Sequence, residues 1–166
     1  FLPPQIMQWD RGHLDGKALI SAAEMAGKVR AAVDARHSAD TLIVARTDAV
    51  AVEGFDAALA RAELYCEAGA DILFVEAPRE KEQLERIAQS LRAWAPLLAN
   101  MVEGGKTPPL SAVELQALGF ALVIFPGAIV RVLAKSAGEF YGSLASHGSS
   151  EAYRARMFDF DALNKL

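Results

Sequence analysis

The sequence predicts an α/β fold in which short parallel strands alternate with helices. Four apolar runs rich in β-branched or aromatic residues, over 41–45, 71–75, 96–99 and 121–125, are continuous rather than alternating. That is the pattern of strands buried on both faces of a parallel sheet. Segments with apolar residues at helical spacing lie between these runs. Polar or turn-forming residues punctuate each run's C-terminal end, and successive ends are ~25–30 residues apart, the length of one βα unit.

Taken in chain order, Ser21-Ala-Ala-Glu24 has the form of a capping box and opens a helix with Met25, Val29, Ala32 and Val33 facing inward. It leads into the first strand. The helix over 54–69 carries Phe55, Ala58, Leu59, Ala62 and Tyr65 on one face and stops at Gly69, a residue suited to the left-handed C-terminal position. After Pro78, a helix places Leu84, Ile87, Ala88 and Leu91 on one side. Ser111-Ala-Val-Glu114 is a second capping box, and its helix stops at Gly119. A longer helix covers 127–144, a polar loop 146–150, and from Glu151 a short amphipathic tail carries Tyr153, Met157, Phe158 and Phe160. No linker-like stretch divides the chain, so residues 1–166 read as one domain.

Composition narrows the function classes. With 166 residues, 52% of them hydrophobic and 23% charged, the chain can bury one core, and disorder is excluded. No apolar run approaches ~20 residues, which excludes a membrane-spanning helix. A formal charge of −4 and the lack of a Lys/Arg cluster argue against nucleic acid as partner. A single cysteine, Cys66, excludes an intramolecular disulfide and a multi-cysteine zinc site, and suits a reducing cytoplasm. Phe1-Leu-Pro-Pro has neither an initiating Met nor a basic segment ahead of an apolar one; it reads as a start inside a longer protein rather than a signal peptide.

The strand ends carry Arg46-Thr-Asp48, Glu76-Ala-Pro78, Asn100-Met-Val-Glu103 and Pro126-Gly127. In parallel α/β architectures, ligand groups collect at this edge. Arg46 directly follows an apolar run, which puts a guanidinium at a strand tip; its planar fork suits a carboxylate, and the alternative is a structural ion pair with Asp48 or Glu76. Asp48 and Glu76, at neighbouring ends, are oxygen donors of the kind Mg²⁺ takes, while Asp48 is equally placed to cap the following helix. Asn100 can hydrogen-bond a carboxylate or a developing enolate oxygen.

Glu103-Gly-Gly-Lys-Thr-Pro108 is glycine-rich but lacks the spacing of a nucleotide-binding loop, and Pro108-Pro109 precludes a helix at the required point. It reads as a mobile substrate-covering loop, with Gly104 and Gly105 as hinges and Lys106 and Thr107 as candidate ligands. Arg11-Gly-His13-Leu-Asp-Gly-Lys17 reads as an ordered loop in which His13 is either a proton-transfer group or a surface residue. Cys66, on an apolar helix face, reads as core. His37 and His147 have no metal-ligand spacing.

The ordered set Gly12-His-Leu-Asp-Gly-Lys17, Ala45-Arg-Thr-Asp-Ala49, Glu67-Ala-Gly-Ala-Asp71, Phe74-Val-Glu-Ala-Pro78 and Ala99-Asn-Met-Val-Glu-Gly-Gly-Lys-Thr-Pro108 closely resembles the isocitrate lyase/phosphoenolpyruvate mutase superfamily. More narrowly, it resembles the branch of methylisocitrate lyases, oxaloacetate decarboxylases and carboxyphosphonoenolpyruvate mutases. The resemblance covers nearly the whole chain to about Leu144. It implies a (β/α)₈ TIM-type barrel, of which this chain carries only the C-terminal four βα units plus the C-terminal helices. Within that frame, 1–19 is an active-site loop region, 20–127 holds the βα units and 128–166 the C-terminal helices, which the resemblance implies are exchanged between partners of a homo-oligomer, a dimer or tetramer.

The implied activity is a lyase cleaving a C–C bond of a small 2-oxo or 2-hydroxy di- or tricarboxylate, of the oxaloacetate or 2-methylisocitrate class, through an enolpyruvate stabilised by Mg²⁺. Carried onto matching positions, Arg46 binds the substrate carboxylate and acts in catalysis with His13 of the gating loop. Asn100 and Thr107 contact the substrate's other acidic end. Glu76, with Asp48, belongs to the metal's outer shell.

Two departures qualify the match. Trp9, Asp10 and Arg11 stand where lyase members have Lys-Arg-Cys, so the cysteine proton donor of isocitrate-type lyases is absent, and Cys66 is too far along the chain to replace it. The family's metal-binding Asp-x-Asp has no counterpart in residues 1–40. Two alternatives remain open at this level: a P–C bond mutase or hydrolase of the same superfamily, and a catalytically inactive, self-associating half-barrel.

Overall fold

The computed structural model describes residues 18–166. The described chain forms two compact units, one ending at Phe125 and the other spanning Pro126–Leu166.

The first unit alternates helix and strand: α1 (Ala22–Ala35), β1 (Val44–Thr47), α2 (Phe55–Glu67), β2 (Ile72–Val75), α3 (Lys81–Leu91), β3 (Leu98–Asn100), α4 (Ala112–Leu118) and β4 (Leu122–Ile124). β1 pairs parallel with β2, from Val44 opposite Ile72 to Thr47 opposite Val75. β3 pairs parallel with β4, from Leu98 opposite Leu122 to Asn100 opposite Ile124. A parallel bridge between Leu73 and Leu97 joins the two ribbons, and the Leu73 amide donates to the Pro96 carbonyl at 3.0 Å. All four strands therefore end at one edge.

The core lies on the side of the sheet faced by α2 and α3. Ala58, Leu59, Ala62 and Tyr65 of α2 and Leu84, Ile87, Ala88 and Leu91 of α3 are buried, as their spacing predicts. They pack with Ala45, Leu73, Val75, Leu97 and Ala99 of the strands in one cluster. α4 opens with the full reciprocal box of Ser111 and Glu114 and closes on Gly119 at φ 112. The expectation for α1 needs two corrections. Ala32 is exposed and Ala26 is buried in its stead, while Met25 and Val33 are only partly covered. The Ser21 cap is one-sided: its hydroxyl accepts from the Glu24 amide, and the Glu24 carboxylate instead pairs with Lys28 at 3.3 Å.

Burial on both sheet faces holds only for β2, where all four residues are buried. In β1 and β4 the residues facing away from the helices stay open: Val44 is 45% exposed, Leu122 40% and Ile124 38%. Period-two alternation sends them to the face that no helix of this unit covers. Strand boundaries also shift. β1 starts at Val44 and continues through Arg46 and Thr47, because Arg46 is in register with Phe74 in the ladder. Arg46 is thus inside the strand rather than beyond its tip.

In the second unit, α5 (Ala128–His147) runs past the expected end at 144, to Gly148 at φ 64. A 3₁₀ turn, Glu151–Arg156, and α6 (Phe160–Leu163) follow. The turn is held to α5 by Arg156 with Glu139 at 2.6 Å and by an edge-to-face contact of Phe140 with Tyr153. Among the described residues, no helix is long and apolar enough to cross a membrane.

Candidate functional site

Parallel register brings the C-terminal ends of β1, β2 and β3 side by side, and their polar residues meet there. Glu76 follows Val75 directly; its amide donates to the Thr47 carbonyl at 2.9 Å, extending the ladder by one bond. This fixes the Glu76 side chain, only 3% exposed, beside Arg46, whose Nη2 is 3.4 Å from Oε2. Asn100 Nδ2 donates to the same oxygen at 3.4 Å. The Asn100 Oδ1 atom is buried and has no hydrogen-bond partner among the described residues. A buried acceptor left unpaired costs free energy unless something donates to it, so its presence here marks a place for a ligand or water.

Arg46 is held from two further sides. Its Nε and Nη2 both donate to Asp48 Oδ1, at 3.1 and 2.9 Å. Its guanidinium also lies 5.1 Å from the centre of the Phe74 ring, the residue opposite it in the ladder. Among the described residues the Nη1 edge makes no hydrogen bond. The structural ion pair and the carboxylate-binding role are therefore compatible: one edge of the fork is used for orientation and the other is left over. Asp48 does not cap the 3₁₀ turn Ala49–Ala51 that follows it; its carboxylate is taken by Arg46, and Thr47 Oγ1 accepts from the Ala49 amide at 3.2 Å instead.

Thr107 joins this group. Together with Glu76, Ala77, Asn100, Val102, Gly105 and Lys106 it lines a shallow hollow at the strand ends. The loop reaches it through a turn closed by the Gly105 amide on the Val102 carbonyl at 2.9 Å; a Cβ on Gly105 would fall at 2.9 Å from the same oxygen, so the close approach requires glycine. Four predicted residues, Arg46, Asp48, Glu76 and Asn100, thus converge, with Thr107 on the rim. His13 and the motif 11–17 lie outside the described residues. Cys66 is half-buried, and its thiol faces the Trp94 carbonyl at 3.6 Å; burial raises its pKa, which leaves it a poor nucleophile at neutral pH.

Two features escaped sequence reasoning. Ala77, between Glu76 and Pro78, has φ +56, the only described non-glycine residue with positive φ. Such a conformation costs ~1–3 kcal/mol and persists where surrounding structure over-determines it. The signal available was faint: an alanine before a proline at a strand end. The second is Arg61, buried on the apolar face of α2 and paired bidentately with Glu53, Nε to Oε2 and Nη2 to Oε1, both at 2.6 Å. The pairing holds the Glu53 carboxyl below the usual range and raises Arg61 further.

Asp48 and Glu76 are carboxylate donors of the kind Mg²⁺ takes. Among the described residues no three His, Cys, Asp or Glu side chains cluster as direct ligands. Asp48 and Glu76 both contact Arg46, which suits hydrogen bonds to an ion's water shell rather than direct coordination.

The family described as phosphoenolpyruvate phosphomutase matches residues 9–144. Over 165 residues, 99% of the chain, the sequence is 41% identical to the 2,3-dimethylmalate lyase of Eubacterium barkeri, covering 56% of that protein. It is 50% identical over 132 residues to the 2-methylisocitrate lyase of Aeropyrum pernix, covering 80% of this chain and 42% of that one. A crystal structure of 2,3-dimethylmalate lyase superposes with a TM-score of 0.80 at 36% identity, over 85% of this chain and 47% of the other. The chain spans about half the length of these relatives. With its family match and its lyase relatives in agreement, the chain belongs to the phosphoenolpyruvate mutase/isocitrate lyase superfamily.

Proposed function

We propose that the protein carrying these residues is a carbon–carbon lyase acting on a small 2-oxo or 2-hydroxy di- or tricarboxylate, and that this chain supplies four βα units of a (β/α)₈ barrel. The observation that carries the reading is the convergence of Arg46, Glu76 and Asn100 at the edge of three parallel strands. Arg46 would bind a substrate carboxylate through its Nη1 edge while Asp48 and the Phe74 ring keep the fork in one orientation. Asn100 and Thr107 would hold the second acidic end. Glu76 and Asp48 would take places in the water shell of Mg²⁺; that ion, when bound, supplies Lewis-acid stabilisation of the negative charge that develops as the C–C bond breaks. His13, in the segment that the family resemblance implies is a gating loop, would act in proton transfer.

The test is a substrate panel of 2,3-dimethylmalate, 2-methylisocitrate and oxaloacetate with Mg²⁺, following pyruvate or other 2-oxo acid release. Turnover of one of them, abolished in Arg46→Ala, supports the reading. Release of phosphate from a phosphonate substrate with no turnover of the panel would replace it with P–C bond chemistry.

The same reading includes a homo-oligomer, dimer or tetramer. The exposed Ile129, Val130, Val132 and Leu133 of α5 support it, since a helix with such residues gains by burying them in a partner. Sedimentation over a range of concentrations decides: a monomer at every concentration rules it out.

A further inference from the structure

Arg61 interrupts the apolar face of α2, among Ala58, Leu59, Ala62 and Tyr65, and is 7% exposed. Its guanidinium joins three segments. Nε and Nη2 grip both carboxylate oxygens of Glu53 at 2.6 Å, and Nη1 donates to the Ile20 carbonyl at 3.1 Å and to the Tyr65 hydroxyl at 3.2 Å. Replacing a buried ion pair by apolar side chains of similar volume is often neutral or stabilising, so stability alone does not account for an arginine at this position. What the fork adds is direction: a bidentate pair fixes the carboxylate in both distance and angle.

Glu53 stands in the loop between β1 and α2, whose backbone is knotted on one residue. The carbonyl of Ala49, itself fully buried, accepts the amides of Val52, Glu53 and Gly54 at 3.0, 2.8 and 3.0 Å. Gly54 then turns into α2 at φ 98. At the other end of the knot is Asp48, whose Oδ1 receives both N–H groups that orient Arg46. An anchor on Glu53 therefore sets the knot, the knot sets Asp48, and Asp48 sets Arg46.

We propose that Arg61 is a positioning residue for the strand-end site, acting on Arg46 through Glu53, the Ala49 knot and Asp48 without touching a ligand itself. The functional part of this inference rests on the carboxylate-binding reading of Arg46; the relay itself does not. Arg61→Met keeps the apolar stem and removes the fork, and is read by amide hydrogen exchange and by the ¹⁵N resonance of Arg46 Nε, both without ligand. The expected result is exchange at Val52, Glu53 and Gly54 faster by about 10-fold or more, with the α3 amides unchanged, as local opening differs from global unfolding. The Arg46 Nε signal shifts in the same variant. Unchanged exchange at 52–54 with an unmoved Arg46 signal overturns the relay; so does equal acceleration throughout α2, α3 and the strands, which would make Arg61 a general structural residue. Should Arg61→Met fail to fold, Glu53→Gln, which breaks the bidentate pair from the exposed side, is expected to give the same local pattern. If the relay holds while no carboxylate is turned over by the protein, the functional reading fails alone.

Discussion

α3 and α5 are both amphipathic helices, and α5 is the richer in apolar residues, yet they differ in what covers them. In α3, Leu84, Ile87, Ala88 and Leu91 are each at most 2% exposed. In α5, 20 residues long, none is buried, and Ile129, Val130, Val132 and Leu133 are 57–63% exposed. Apolar content alone therefore does not confer burial; α3 lies in the repeating βα unit where a sheet is always beneath it. The same contrast separates the two faces of the sheet, one packed by helices and the other leaving Val44, Leu122 and Ile124 open.

The largest test of this contrast is truncation. Leu84→Ala or Leu91→Ala is expected to cost about 2–5 kcal/mol in chemical denaturation, since each leaves a cavity in a closed core. Val130→Ala in α5 is expected to stay within about 0.5 kcal/mol for the isolated chain, as for other exposed substitutions. A comparable loss at both positions would show that α5 is packed after all.

A smaller effect is expected at Ala77. Valine there sets a β-branched side chain at φ +56 and is expected to cost roughly 1–3 kcal/mol. Glycine relieves about 1–2 kcal/mol of left-handed strain but adds about 0.5–1 kcal/mol of backbone entropy, so its net effect is small and favourable. Glycine that destabilised as much as valine would mean the conformation is not strained.

Acidification should act on the first unit through carboxylates held low. Asp71 accepts from the Ile43 amide and then from Arg36, Glu53 from Arg61, and Glu114 from the Ser111 amide. A depressed folded pKa contributes stability that is present above the unfolded value, near 4, and is lost as pH falls through the folded value. Thermal unfolding temperature is thus expected to fall below about pH 4, and Asp71→Asn to flatten part of that slope. An unchanged slope in Asp71→Asn would remove Asp71 from this account. The smallest effect belongs to the second unit: Arg156→Met breaks a partly exposed pair with Glu139 and is expected to cost less than about 1 kcal/mol.

Much of the fold was legible because helix faces and stops have local causes. The spacing of Leu84, Ile87, Ala88 and Leu91, the Ser111 box and the glycine at 119 each act within a turn or two of chain. Strand limits were less legible, because Arg46 and Thr47 are polar yet occupy ladder positions set by β2, a partner 28 residues away in register. The strand-end residues of the site could be found because parallel order alone places Arg46, Glu76 and Asn100 together. Arg61 could not, since its role depends on a carboxylate eight residues earlier and a carbonyl 41 residues earlier.

The central claim is that the strand-end cluster is a carboxylate site centred on Arg46. The most direct measurement is a titration of the protein with oxalate in the presence of Mg²⁺, followed by the ¹⁵N resonance of Arg46 Nε. The account predicts a saturable shift that is absent in Asn100→Ala or much weakened there, and that chloride at the same ionic strength does not reproduce. A signal that moves equally with oxalate and chloride, or not at all, would contradict it.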